Sequence, residues 1–323
     1  MMSGLLAHLF SIGGSVYQVQ WPSPFSTPVA LTDFEVRFEK EGFEYKGRGF
    51  SLKSAEQALV KALVECFERK VCRENALLNS NGVASHFSAV EAKKNSEAEY
   101  LERVCFLLHF YTASAFGEVL GQDPLGHQLY QFPGVLQFCS RLIGYGSSRA
   151  NRYAIVASLA RLQLPGRCDG FVVGLGASES LSLALEKANQ ELFQLVGYFT
   201  FSNQKTLNLR QFQMQQELSF ADHAWLALDA SYSKKVQTYI DSFLSSKNQR
   251  PINLHLDLES TRLPCEKSLS ATGFLTFRTG ALDGLDLFTG FPNPKFTERL
   301  MKLAARQGLN PKGEWLCLPH PLA

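Results

Sequence analysis

Apolar and polar residues alternate along VALTDFEVRFEKEGFEYKGRGF, residues 29–50, with a glycine near the middle, and this predicts two strands or a hairpin. The interval Arg152–Leu164 contains YAIVASLARL, a continuous apolar run that reads as a buried strand. DGFVVGLG, from Asp169, reads as a strand entering a glycine turn, and INLHLDLES and GFLTFRTG read as later strands. KFTERLMKLAARQGL has the spacing of a closing amphipathic helix. An acidic segment ending near Arg103 is expected to continue as a buried helix through CFLLHFYTASAFGEVL. The interval Gly117–Ser148 is rich in Gly, Pro and Gln and is expected to be a long loop or a connector between lobes.

Three segments share a second pattern, in which the marks are small or polar instead of apolar. Ser54, Ala58, Ala62 and Glu65 are followed by Glu68 and Arg69; Ser88, Ala92, Ser96 and Glu99 by Glu102 and Arg103; and Ser180, Ala184, Ala188 and Glu191 by Gln194. At about 100° per residue these offsets fall on one narrow helix face, with Ser at its start and oxygen-bearing side chains at its end. Paired helices of this kind bring Glu65, Glu68, Glu99 and Glu102 together. Four ionised carboxylates in a partly buried place need a compensating charge, and an all-oxygen donor set suits magnesium completed by nucleotide phosphates. The plainer alternative for E-x-x-E-R is a solvated helix face with local ion pairs.

Glycines precede each pattern: Gly47 and Gly49, Gly82, and Gly174 and Gly176. Turns leading into Ser-capped helices leave backbone N–H groups free for phosphate oxygens, so the expected unit is a glycine turn followed by an acidic helix, repeated three times around a nucleotide. No Walker loop occurs in the chain.

These segments resemble the YcaO family of ATP-dependent enzymes that modify peptide backbones. The resemblance rests on KALVECFERK (Lys61–Lys70), SNGVASHFSAVEA leading to EAEYLER (Ser80–Arg103), GLGASESLSLALEKANQELFQ (Gly174–Gln194), ADHAWLALD from Ala221, FRTGALDGLDLF from Phe277, and LPHPLA. The chain reads as a short, divergent member, with only VCRENALLNSN between the first acidic helix and the second glycine turn, and Val196 where the family often has arginine. The resemblance implies an α+β, YcaO-like fold with mixed sheets. It also implies a single domain over residues 1–323, with possible lobes at 1–116 and 149–323.

For function, the resemblance implies ATP with Mg2+ and phosphorylation of an amide oxygen in a ribosomally made precursor peptide. The expected product is an azoline ring, with thioamide formation or a catalytically weak scaffold as the alternatives. Glu65, Glu68, Glu99 and Glu102 would be magnesium ligands. Lys61, Arg69, Ser80, Asn81, Arg103, Glu191 and Gln194 would line the nucleotide pocket, although Arg69 also suits an ion pair with a carboxylate. Pro319, Pro321 and the carboxylate of Ala323 would serve catalysis as a proline-bearing tail; the alternative is a frayed end. The implied partners are the precursor peptide, a separate leader-binding protein and a flavin-dependent dehydrogenase, in a homodimer or hetero-oligomer.

Composition narrows the class without naming the chemistry. The chain has 323 residues, 45% of them hydrophobic, enough for a substantial core, and a net charge of +2 gives no case for nucleic acid. No run of eighteen apolar residues occurs and the first residues lack a basic n-region, so neither a membrane span nor a signal peptide is expected, and a cytoplasmic protein is. Seven cysteines form no C-x-x-C pair and read as reduced, with Cys66 and Cys105 in the core. His223 and His255 read as structural, Asp222 as an N-cap, and His320 as a possible base.

Overall fold

A computed structural model describes residues 2–20, 32–51, 53–77, 80–112, 117–121, 124–148, 151–164, 168–201, 208–214, 220–245, 250–281, 284–285, 292–311 and 318–321. The chain forms two compact units: residues 1–100 with 259–280, and residues 101–258 with 281–323. The division falls inside one helix and not in the interval 117–148.

The first unit begins with helix α1 (Met2–Ser11) and an antiparallel sheet of β1 (Ser15–Gln18), β2 (Thr32–Lys40) and β3 (Phe43–Ser51). The predicted hairpin is present. Its turn is Glu41 and Gly42, both at positive φ (55° and 76°), the geometry whose twist matches that of the flanking strands. Helix α2 (Ala55–Glu74) packs on this sheet through Ala62, Leu63, Cys66 and Phe67, which share a core with Val36, Phe38 and Phe274. A second sheet has the order β10 (Leu258–Leu263), β11 (Leu275–Ala281), β4 (Val83–His86). Helix α3 starts at Ala89 and runs to Thr112, so residues up to Tyr100 belong to this unit and the remainder to the other.

The second unit is built on β6 (Val135–Ser147), β7 (Arg152–Leu164) and β8 (Cys168–Ser178), paired in that order and antiparallel. Short β5 (Glu118–Val119) and β9 (Ile252–His255) both pair with β6, the latter in parallel. Helix α5 (Leu181–Phe201) covers the sheet through Ala184 and Ala188, against Leu142, Ala154 and Val156. The predicted buried strand and the closing helix (Pro294–Arg306) are found where the pattern put them.

Three expectations are corrected. The interval 117–148 is not a connector: it supplies β5, a short helix (Pro124–Leu129) and β6, whose residues Leu142 and Ile143 are buried. The helix expected through Leu120 is described as far as Thr112, and Glu118 and Val119 extend the sheet instead. INLHLDLES is two strands, with the break at Leu256–Asp257.

Candidate functional site

The serines that open the first two patterns cap their helices. Ser54 Oγ accepts from the Gln57 N–H at 3.1 Å, and Ser88 Oγ from the Glu91 N–H at 3.4 Å. Ser180 immediately precedes α5. The glycines, however, are not all turns. Gly47 and Gly49 lie in β3 and Gly174 and Gly176 in β8; only Gly82, at φ 68°, sits in a tight turn, with Val83 N–H on Ser80 O at 2.9 Å.

The physical reason lies in the small-residue stripe itself. A Cβ on Gly49 would fall within 3.0 Å of Ala58 O and Ala62 N, and one on Gly47 within 3.0 Å of Ala62 O and Cys66 N. The same pairing recurs between Gly176 and Ala184 and Ala188, and between Gly174 and Ala188 and Leu192. Glycines on the strand and alanines on the helix let the two backbones touch. These glycines therefore set helix height and offer no phosphate cradle.

That close approach has a polar consequence in both units. Glu65 Oε2 accepts from the Arg48 N–H of β3 at 2.8 Å, and Glu191 Oε2 accepts from the Leu175 N–H of β8. Four residues earlier on each helix, Lys61 Nζ donates to Phe50 O and Lys187 Nζ to Ala177 O, both at 3.1 Å. The β2–β3–α2 and β7–β8–α5 units are thus two copies of one device. Each latches a helix to a strand through a lysine and a glutamate.

In the first unit the Glu65 and Glu99 carboxylates act on Glu68. Glu65 bonds Arg48 N–H with one oxygen and Arg69 with the other, at 2.5 Å. Glu68, half-buried, is held well above the usual carboxylate range by burial and then by the Glu99 and Glu65 carboxylates; a hydrogen bond from Ser85 and the Arg69 charge oppose this. Ser85 also bonds Thr276 at 2.9 Å. Arg69 lines an open cleft of about 370 Å³ together with Arg73, Lys46, Glu44 and Tyr45. Lys61 is exposed and donates to Phe50 O, and Ser80 and Asn81 belong to the turn before β4.

In the second unit the group is Glu102, Arg103 and Glu191. Arg103 Nη2 lies 3.5 Å from Glu191 Oε1, and Arg103 Nε lies 3.7 Å from Glu102 Oε1. Burial pushes Glu102 up to about 7; Glu191 adds to the rise, while Arg103, Lys187 and a hydrogen bond with the Ala177 backbone oppose it. Gln194 is half-buried on α5, three residues beyond Glu191. Sequence reasoning missed two contributors, Lys187 and Ser85. The signal for Lys187 was present, since a lysine stands four residues before the glutamate in both the first and third patterns.

Leu318–Pro321 is buried in the second unit, which removes the frayed-end alternative for these residues; Ala323 lies outside the described residues. His223 is fully buried. Asp222 falls within the first turn of helix Phe220–Ala227 and not before it. His255 is exposed, with its Nδ1 2.6 Å from Ser147 Oγ. Cys66, Cys72 and Cys105 are free, buried thiols, and burial raises all three, Cys66 and Cys72 to about 12.

The oxygen donors are of the kind a hard divalent cation takes, and burial and neighbouring carboxylates raise Glu68 and Glu102, while Arg69, Arg103 and Lys187 offset part of that charge. Among the described residues, no three His, Cys, Asp or Glu side chains converge in metal-ligand geometry. No described helix is long and apolar enough to cross a membrane.

No family model matches the sequence, and no curated protein does. Solved structures do match. YcaO from Methanopyrus kandleri, bound with AMPPCP and Mg2+, aligns over 88% of this chain and 90% of its own, with TM-score 0.55 and 13% identity. A heterocyclase in complex with substrate and cofactor aligns over 99% of this chain with TM-score 0.61 and 13% identity, and the match spans 57% of that longer protein. The E. coli microcin synthetase McbBCD complex contains a chain that aligns over 83% of this one and 91% of its own, with TM-score 0.52 and 10% identity. The fold is therefore the mixed α+β, YcaO-like one.

Proposed function

We propose that this chain is an ATP- and magnesium-dependent enzyme that activates a backbone amide of a ribosomally made precursor peptide, forming azoline rings. The observation that carries the reading is the crowding of Glu68 by Glu65 and Glu99, and of Glu102 by Glu191, on a YcaO-like fold. Bound MgATP would supply the phosphoryl group that turns the amide oxygen, after attack by a neighbouring Cys, Ser or Thr side chain, into a phosphate leaving group. Glu65, Glu68 and Glu99 in the first unit, and separately Glu102 in the second, are the carboxylates that would serve as magnesium ligands. Arg103, placed between Glu102 and Glu191, would meet developing phosphate charge, as would Lys61 and Arg69; Ser80, Asn81 and Gln194 would complete the pocket. Positioning and charge neutralisation are what such a transfer asks of a protein.

Two other readings stay in play on specific grounds. Thioamide formation would use the same carboxylates and differs only in needing a sulfide donor. A catalytically weak scaffold is favoured by Glu65, whose two oxygens already serve Arg48 N–H and Arg69. In either enzymatic reading Pro319, Pro321 and Ala323 lie in the segment assigned to catalysis, and the partners are a leader-binding protein, a flavin-dependent dehydrogenase and a second copy or other subunit. The test is phosphate release and peptide mass with ATP, candidate precursors and the partner protein. Loss of one water per ring supports azoline formation, and sulfur replacing oxygen only when sulfide is present supports thioamidation. ATP turnover and peptide mass that both stay unchanged would leave the scaffold.

A further inference from the structure

The outer edge of β3 is covered over only part of its length. The hairpin closes on the pair Lys40 and Phe43 around its two-residue turn, and the register runs unbroken from there to Thr32 and Ser51. A pair that closes such a turn is hydrogen-bonded, so alternation along the ladder points the N–H and C=O of Glu44, Lys46, Arg48 and Phe50 away from β2. Farther from the turn, α2 takes these groups: Arg48 N–H donates to Glu65, and Phe50 O accepts from Lys61. Nearer the turn, no described residue takes the outward groups of Glu44 and Lys46, and among the described strands β3 pairs with β2 alone.

Beside this open stretch α2 is cationic. Arg69 and Arg73 follow Glu65 at four-residue intervals on one helix face, and they border the 370 Å³ cleft together with Glu44, Tyr45 and Lys46. Arg69 is paired with Glu65 at 2.5 Å, and Glu44 with Lys46 at 2.7 Å. Arg73 is exposed, with its guanidinium over the Phe43 ring, and among the described residues no carboxylate pairs with it. The cleft thus joins free backbone hydrogen-bonding groups to a cationic rim. Gly47 and Gly49 face α2, so every second side chain of a strand added to this edge would face α2 as well. Four helical residues rise about 6 Å. Two strand residues span about 6.7 Å, so acidic side chains at alternate positions match the separation of Arg69 and Arg73.

We propose that the open edge of β3 is a docking site at which an extended acidic segment of a partner polypeptide adds as a further strand, with Arg73 as its specificity-determining residue. The outward groups of Glu44 and Lys46 bind the segment's backbone and accept any sequence, whereas Arg69 and Arg73 select carboxylates two residues apart. Arg69 also figures in the nucleotide reading and Arg73 does not, so Arg73 separates the two. Docking here needs neither ATP nor magnesium.

The test titrates fluorescein-labelled Thr-Val-Glu-Val-Glu-Val-Thr into the full chain by anisotropy, without ATP or magnesium. Saturable binding is expected, weakened about tenfold by Arg73→Glu and by a peptide with Lys in place of both Glu. N-methylating alternate peptide residues should abolish binding in one phase and spare it in the other, since only every second N–H of an added strand faces the edge. Lys46→Pro removes an outward N–H without touching the β2 ladder and should weaken binding about tenfold, whereas Lys46→Ala, which keeps that N–H, should stay within about twofold of wild type. Circular dichroism checks that each variant is folded, and the peptide arms decide the matter on wild type alone if Lys46→Pro is not. No saturation by about 1 mM, equal binding by Arg73→Glu, or equal binding of both N-methylated phases overturns the proposal. A dimer in sedimentation that folded Lys46→Pro dissolves would put a second copy on this edge and also overturn it.

Discussion

The carboxylates account for more of this chain's behaviour than their number implies, because each stands in a different environment. Glu65 and Glu191 are bonded to strand N–H groups and hold the helices in place, while Glu68 and Glu102 are pushed toward protonation. Glu102, raised from 4.5 to about 7, binds more proton in the folded chain than in the unfolded one between those values. Its contribution to stability is therefore full below 4.5 and falls as pH rises through 7. Glu102→Gln should stabilise the protein without ligand at pH 8 by a margin on the order of 3 kcal/mol, read from urea unfolding. A destabilised variant would mean that the Arg103 contact outweighs burial. His223 has the opposite sign. Lowered from 6.5 to about 4 by burial, against the pull of Asp222 and the His320 carbonyl, it stabilises fully above 6.5. That stability is lost as pH falls toward 4, and His223→Gln should flatten the acid limb of a thermal-stability profile. The buried thiols give a simpler check: iodoacetamide at pH 8 should leave Cys66, Cys72 and Cys105 unmodified until the chain unfolds, as mass spectrometry would record.

At the scale of elements, periodicity gave the hairpin, the buried strand and the closing helix directly, because alternation and a 3.6-residue repeat report burial. What periodicity could not give was the use of each glycine. Gly47 and Gly176 look like turn residues in the sequence, but glycine also serves where a strand meets a helix backbone, and only the facing alanines decide which. Gly49→Ala and Gly176→Ala should each destabilise by about 3 kcal/mol in chemical denaturation, since the clash is with helix backbone and not with a movable side chain. Loss below about 0.5 kcal/mol would show that the helices can lift away. The interval 117–148 was misread for a related reason. Its Gly, Gln and Pro residues mask a strand in which Leu142 and Ile143 are buried while Leu136 is half exposed.

For the molecule as a whole, the acidic positions were legible in the sequence and their grouping was not. Glu99 and Glu102 are three residues apart on α3, yet the first belongs with Glu65 and Glu68 and the second with Arg103 and Glu191. No spacing rule could reveal that division, because it depends on sheets formed by distant strands such as β10 and β11. The lysine–glutamate latch, shared by both units, was legible only as a repeated offset whose meaning needed the strands.

The most direct test of the nucleotide reading is calorimetric titration of ATP into wild type and a Glu68→Gln, Glu99→Gln variant, with and without magnesium. The account predicts magnesium-dependent binding that the double substitution abolishes while the fold is kept and the thermal transition is not lowered. No binding by the wild type with its partner proteins present, or binding that ignores both magnesium and the substitutions, would contradict it.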